Sequence, residues 1–288
     1  MLYFLYMRNV NPHMTKIFLD SGNPEETKEA LSLLGFLDGQ TTNPSLVAKN
    51  PHIVQLKEQK LLNPEVIWDK YREVALEILE VIPGGAISVE VYADQATTHD
   101  TMLSQGRLLA TWFPDVYVKL PATEAGLKTA EVLVAEGIRV NITLVFSQEQ
   151  AAAVHMATKN AKPGQVFISP FIGRLDDINQ EGFDVVKNIK HMYKAWGSHV
   201  MVLAASIRSL EHVKKCLESE IDIITAPLSI FKEWVANPNL EITDPVTSKQ
   251  PVPLQEIQQK PWMEYNIRHE LTDKGIEKFA SDWQKLFE

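Results

Sequence analysis

Val116-Tyr117-Val118-Lys119-Leu120, the helical run Thr123–Ala135 and then Val140-Asn141-Ile142-Thr143-Leu144 follow one another in a single short stretch. The outer two runs are rich in β-branched residues and read as strands. The middle one sets Leu127, Ala130 and Val134 at helical spacing. Strand, helix, strand is the parallel βαβ unit, and the pattern recurs in both directions along the chain. Further strands are expected at Lys16–Asp20, Gly39–Thr42, Ala86–Val91, Val166–Pro170, Val200–Ala204 and Ile223–Ala226, with the two above taken as Val116–Leu120 and Val140–Leu144. Helices are expected at Glu25–Leu34, with Pro24 in its first turn, and at Glu65–Leu79, Gln148–Lys159, Phe183–Trp196, Leu210–Leu217 and Leu228–Val235. No G-x-G-x-x-G follows any strand, and the pair Gly84-Gly85 precedes one. Eight such units without a dinucleotide fingerprint favour a closed (β/α)8 TIM barrel over an open doubly wound sheet. A last helix, Thr272–Phe287, is expected to pack across the barrel.

The chain has 288 residues, 45% of them apolar and 23% charged, enough for a large core without staples. Residues 14–288 read as one α/β domain. Met1 to His13 reads as a disordered extension: its apolar start is too short to span a membrane and lacks the flanks of a signal peptide. Met14 would serve as a natural start. The net charge of −9, with no basic block, argues against nucleic acid as a partner. A small anion bound by two or three arginines fits that balance. Cys216 is the sole cysteine, which rules out an internal disulfide and fits a reducing, cytoplasmic compartment; it reads as a helix residue rather than a nucleophile. The eight histidines show no metal-ligand spacing, so no metal is expected. Asp176-Asp177 reads as a helix start, and Trp196, Trp234 and Trp283 as core. The Pro- and Gln-rich segment from Asn237 to Pro261 lacks periodicity and reads as a functional loop or a surface wrap.

Lys119 is out of place. An apolar strand normally buries its side chains, where an ammonium is costly. Burial favours the neutral amine, and a neutral amine beside a carbonyl forms a Schiff base. On its own a strand lysine is more often an edge residue pointing at solvent. Its neighbours change the balance, because catalytic groups in such barrels project from the C-terminal strand ends. Those ends carry Asp20, Thr42-Asn43, Glu90, Lys119, Asn141 with Thr143, Ser169, and Ser206 with Arg208. Asn141 and Thr143 are two apart and share a strand face.

Five of these stretches also carry a resemblance. Phe18-Leu19-Asp20, Gln40-Thr41-Thr42-Asn43-Pro44-Ser45, Val118-Lys119-Leu120-Pro121-Ala122-Thr123, Asn141-Ile142-Thr143-Leu144-Val145-Phe146-Ser147 and Ile168-Ser169-Pro170-Phe171-Ile172-Gly173-Arg174 resemble the signatures of the transaldolase family. The likeness runs from Met14 onward and includes Gly275-Ile276-Glu277-Lys278-Phe279-Ala280 in the final helix. It implies that Lys119 forms the Schiff base with the C2 ketone of a ketose phosphate, and that Asp20 takes the C4 hydroxyl proton. Glu90 and Thr143 would hold the water that relays protons. Asn43 and Asn141 would bind the donor's hydroxyls, Ser169 would line its site, and Arg174, Ser206 and Arg208 would clamp its phosphate. No organic cofactor is implied, since the lysine is the electron sink.

Two features depart from the long-form members of that family. Tyr92 stands where they commonly have Asp, and Leu203-Ala204-Ala205-Ser206 is closer to the short-form branch. That branch includes fructose-6-phosphate aldolases, which carry a Tyr where this chain has Phe171 and release free dihydroxyacetone. Phe171 has no proton to give, which favours transfer over release. The expectation is therefore a cytoplasmic transaldolase acting on sugar phosphates in the pentose phosphate pathway. A fructose-6-phosphate aldolase is the nearest rival, and a non-catalytic sugar-phosphate-binding barrel is the rival of another class. Assembly into a homo-oligomer is left open by the sequence.

Overall fold

The computed structural model describes residues 15–237 and 249–288. The extension expected at residues 1–13, and residues 238–248 of the segment expected to wrap the surface, lie outside that range. The strands are β1 (Lys16–Asp20), β2 (Gly39–Thr41), β3 (Ala86–Glu90), β4 (Tyr117–Pro121), β5 (Arg139–Val145), β6 (Val166–Pro170), β7 (Met201–Ala204) and β8 (Ile223–Ala226). They pair in sequence order, all parallel, and β8 returns to β1 to close a barrel. Helices lie between the strands, so the architecture is the (β/α)8 barrel with an added C-terminal helix.

Two layers fill the barrel. Towards the strand starts, Tyr117 stacks on Phe167 at 4.0 Å and Phe18 meets Phe167 edge-on at 6.1 Å. This layer crowds β2, where a Cβ on Gly39 would lie 2.7 Å from the Phe18 ring and 2.2 Å from the Ala86 carbonyl oxygen, so only glycine fits there. Towards the strand ends the buried side chains turn polar: Glu90, Lys119, Asn141, Ser169 and Thr225.

The turns from strand to helix end in capping residues. Asn23, Thr98, Thr123, Ser147 and Ser209 each accept a backbone N–H from the first turn of the helix they precede. Four helices were not expected from periodicity: Pro44–Val47, Pro51–Glu58, His99–Ala110 and Ile172–Asp176. His99–Ala110 buries only Met102, Gly106 and Leu109, and a glycine in that triplet weakens the apolar stripe. Asp176-Asp177 ends a helix rather than starting one, because Ile172–Asp176 is a single short coil whose carbonyls Asp177 and Asn179 already cap. Trp234 and Trp283 are buried as expected, while Trp196 is only half-buried.

The C-terminal helix, Glu270–Gln284, crosses the mouth of the barrel. Strand β5 shifts register between Ile142 and Val145, and Leu144 takes a left-handed φ of 58°. That bulge re-aims the Leu144 carbonyl, which accepts the Thr272 hydroxyl at 2.8 Å. Gly275 brings the helix backbone close to Leu144 and Arg174. Further along, Asp282 accepts the Ser45 hydroxyl and Trp283 packs on Trp68 at 5.1 Å. The described part of the Pro- and Gln-rich segment does wrap the surface: Gln250 bridges to Gln180, Val252 bonds Asp184 and Asn188, and Gln255 bonds Gln148. Among the described residues no helix is long and apolar enough to cross a membrane.

Candidate active site

Barrel register places Glu90, Lys119 and Asn141 opposite one another on β3, β4 and β5. Lys119 is an interior residue, only 3% exposed, and not the solvent-facing edge lysine that base rates favour. Its Nζ lies 3.0 Å from Glu90 Oε2 and donates to the Thr42 carbonyl at 3.2 Å. The contact with Glu90 is an ion pair poorly directed for a hydrogen bond. Glu90 Oε2 therefore makes no hydrogen bond among the described residues, and the buried Thr143 hydroxyl separately makes none. Burial raises the Glu90 carboxyl above the usual carboxylate range, and the adjacent Lys119 only partly opposes this. A buried pair of this kind is weak evidence for a stabilising role, and groups shifted in this way cluster at functional sites.

Asp20 ends β1, half-buried at the mouth. Its Oδ1 accepts the Thr41 hydroxyl at 2.7 Å, and Thr41 in turn contacts the Thr225 hydroxyl at 2.7 Å. Burial again raises the carboxyl, against the Lys119 charge and the Thr41 bond. Two carboxyls with raised affinity for protons thus flank one amine. Asn141 is fixed at both ends of its amide, donating to Ser88 Oγ at 3.1 Å and accepting from Ser169 Oγ at 2.7 Å. Asn43 caps the helix Pro44–Val47 through Oδ1, so its turn-forming role is real. It also lines the cavity above Lys119.

That cavity measures about 240 Å³ and is lined by Asp20, Asn43, Lys119, Ser169, Phe171, Arg174, Ser206 and Arg208 among others. Eight of the eleven residues nominated from sequence therefore meet on one space, and Glu90, Asn141 and Thr143 are buried behind it. Arg174 lies between the rings of Phe171 and Phe279, at 5.2 and 5.4 Å. Burial and the nearby Arg208 both disfavour its charge. Ser206 adopts a left-handed φ of 57°, and its carbonyl accepts the Gly173 N–H at 3.0 Å. Gly173 is required there, since a Cβ would lie 2.6 Å from the Ser206 carbonyl oxygen. Arg208 is itself half-exposed and paired with Asp177. The outer end of the cavity thus gathers cations around a small space, and its inner end holds an amine between two carboxyls. Such an arrangement can bind an anion and do covalent carbonyl chemistry within one cavity.

Residues not nominated from sequence also line it, among them Thr41, Thr225, Ser45, Lys49, Lys278, Phe279 and Asp282. The two threonines look like ordinary strand formers in the sequence, and the last three depend on where the C-terminal helix comes to rest. A larger cavity of about 460 Å³ lies on the other side of that helix, lined by Asp94, Thr123, Glu124, Arg268, His269 and Asp273 among others. It contains no buried ion pair and none of the nominated residues, so size does not locate the chemistry. Cys216 is buried, and burial pushes its thiol up to about 12, which makes it inert as a nucleophile.

Comparison with known proteins bears on the family. The family model described as Transaldolase/Fructose-6-phosphate aldolase matches residues 17–288. A protein of Herpetosiphon aurantiacus named "Probable transaldolase" is 35% identical over 271 residues, covering 94% of this chain and 96% of that protein. One of the same name from Parabacteroides distasonis is 36% identical, covering 94% of this chain and 99% of its own length. "Probable transaldolase 2" of Listeria monocytogenes is 35% identical, with coverage of 93% and 96%. A match over nearly the whole chain, on a barrel whose strand ends converge on one buried lysine, identifies the protein as a member of the transaldolase/fructose-6-phosphate aldolase family.

Proposed function

We propose that this enzyme is a transaldolase, moving a dihydroxyacetone unit from a ketose phosphate to an aldose phosphate through an imine on Lys119. The observation that carries this reading is the buried Lys119–Glu90 pair at 3.0 Å beneath an arginine-rimmed cavity. Glu90 Oε2, 3.0 Å from Lys119 Nζ, is placed to take a proton from it, leaving an amine that attacks the donor's C2 carbonyl. The C2 oxygen leaves as water, and the unpartnered Glu90 and Thr143 oxygens are suited to hold the water that shuttles those protons. Asn141 and Asn43 take the donor's hydroxyls, with Ser169 holding Asn141 in register. Asp20 removes the C4 hydroxyl proton, and the C3–C4 bond breaks with its electrons flowing into the imine. An aldose phosphate leaves and an enamine stays on Lys119. The enamine carbon then attacks an acceptor aldehyde, Asp20 returns the proton to the new alkoxide, and water releases the new ketose. Arg174, Ser206 and Arg208 are the phosphate clamp for both partners. No part of this scheme requires a metal or organic cofactor, and the sugar phosphates belong to the non-oxidative pentose phosphate reactions of the cytoplasm.

Phe171 favours transfer over release. It packs on Phe146 and Arg174 and offers no acidic proton to the enamine. Borohydride added with fructose 6-phosphate should fix a three- or six-carbon fragment on Lys119, and Lys119→Met should abolish label and turnover together. A label on any other lysine overturns the assignment. Glyceraldehyde 3-phosphate should form quickly only with erythrose 4-phosphate present, and Phe171→Tyr should raise acceptor-independent release. A wild-type rate equal with and without acceptor would install the aldolase reading instead.

A further inference from the structure

Behind the outer arginines sits a buried cluster that the scheme above does not use. His212, 4% exposed, belongs to the first turn of the helix Leu210–Glu218. Its Nδ1 faces the backbone N–H of Arg208 at 3.3 Å, and its Nε2 lies 2.8 Å from Asp176 Oδ2. A backbone N–H only donates, so Nδ1 accepts and the ring proton sits on Nε2, pointing at the carboxylate. The same Asp176 oxygen receives Lys249 Nζ at 2.8 Å, and Oδ1 accepts the Gly182 N–H at 3.0 Å. Burial works to raise the Asp176 carboxyl, yet His212, Lys249 and Gly182 together hold it well below the ordinary carboxylate range.

Asp176 ends the short helix that carries Arg174, and the next residue, Asp177, pairs with the Arg208 guanidinium. Two consecutive acids thus grip the Arg208 loop at two points. Asp177 holds the side chain, and Asp176 holds the backbone through His212. Helix capping does not account for the second grip, because the Ser209 hydroxyl already accepts the His212 N–H. The loop needs holding: Ser206 sits in a left-handed conformation and Arg208 is half-exposed. Lys249, from the segment that wraps the outside of the barrel, completes the cluster.

We propose that the Asp176–His212 pair is the positioning element of the phosphate clamp, fixing the Arg208 backbone relative to Arg174, and that Lys249 ties the surface wrap to it. The proposal rests on the clamp reading given above. Phosphate affinity then depends in part on residues that never touch the substrate.

The test compares fructose 6-phosphate with unphosphorylated fructose as donor, each with glyceraldehyde as acceptor. His212→Leu should raise KM for fructose 6-phosphate about tenfold, the worth of one buried hydrogen bond lost on each side of the ring. Its kcat should stay within about twofold, and its constants for fructose should not move. His212→Asn puts an amide oxygen near the place of Nδ1 and should recover most of the affinity. Lys249→Met should raise KM in the same selective way by a smaller factor, about threefold, as befits a partly exposed ion pair. Equal losses with both sugars, or a fall in kcat alone, would show a structural role and overturn the proposal. So would an unchanged KM in a wild-type background that prefers the phosphorylated sugar. Should His212→Leu not fold, His212→Asn and Lys249→Met carry the same comparison. A wild-type enzyme that treats the two sugars alike would instead remove the clamp reading itself, a result the variants do not produce.

Discussion

The two ends of this barrel bury side chains to the same depth for opposite purposes. At the strand starts, Phe18, Tyr117 and Phe167 stack into an apolar plug, and each is 4% exposed or less. At the strand ends, Glu90 and Lys119 are as deeply buried, at 3% each, but as a charged pair with oxygens left unpartnered. Removing a ring from the plug leaves a cavity, whereas removing one charge from the mouth leaves its partner buried and unpaired. The lesson is that burial alone does not mark a site. Burial that leaves polar capacity unspent does.

That contrast can be broken most sharply at Asp20. Asp20→Asn keeps shape and the Thr41 contact but removes the proposed base, so turnover should fall by roughly two to four orders of magnitude. Imine should still be trapped by borohydride, and thermal stability should hold. A variant that neither traps nor turns over would make Asp20 a binding or folding residue. The opposite end gives the opposite result: Phe167→Ala should lose about 3–5 kcal/mol of stability in urea titration, the usual cost of a buried ring. The kcat of its folded fraction should stay close to wild type. A large loss of kcat with unchanged stability there would mean that the two layers are coupled.

The smallest effect concerns acid. His155 and His199 lie near the strand starts, with rings 5.1 Å apart, bonded to Ser198 and Thr158. Burial lowers both, His199 to about 4. An unfolded chain protonates its histidines near pH 6.5, while the folded His199 resists until about pH 4. The folded state thus binds fewer protons across that window, and stability is lost as pH falls from 6.5 towards 4. Melting temperature should decline over this range, and His199→Gln should flatten part of the decline. Identical melting profiles for the two proteins would show that His199 does not titrate on unfolding.

Much of this was legible beforehand. The strands followed from runs of β-branched residues, and β1, β6 and β8 match their expected bounds. The nominated residues stood out because strand ends carried amides, hydroxyls and charges where apolar residues would have served. The parts not legible depend on distance along the chain. Thr225 reads as a strand former until barrel closure sets it against Thr41, 184 residues away. Lys278 and Phe279 are helix-surface residues until the helix Glu270–Gln284 crosses the mouth. The pairing of Asp176 with His212 depends on two helix ends meeting, and no local pattern announces it. Ile172–Asp176 escaped notice because five residues are too few to display a helical period.

One row of hydroxyls gives the mouth a direction. Thr225, Thr41 and Asp20 are linked in series, and each hydroxyl owns a single proton. If Thr41 gives its proton to Asp20 Oδ1, then Thr225 must give its own to Thr41, and the row runs one way only. Oδ1 is thereby kept occupied as an acceptor, and Oδ2 is the oxygen left to collect and return protons. The carboxyl is asymmetric, and the lone pair open to the proposed proton transfer is chosen by a strand on the far side of the closure seam. Neutron diffraction of the protonated form should find the deuteron on Oδ2; density on Oδ1 would mean the row runs in reverse.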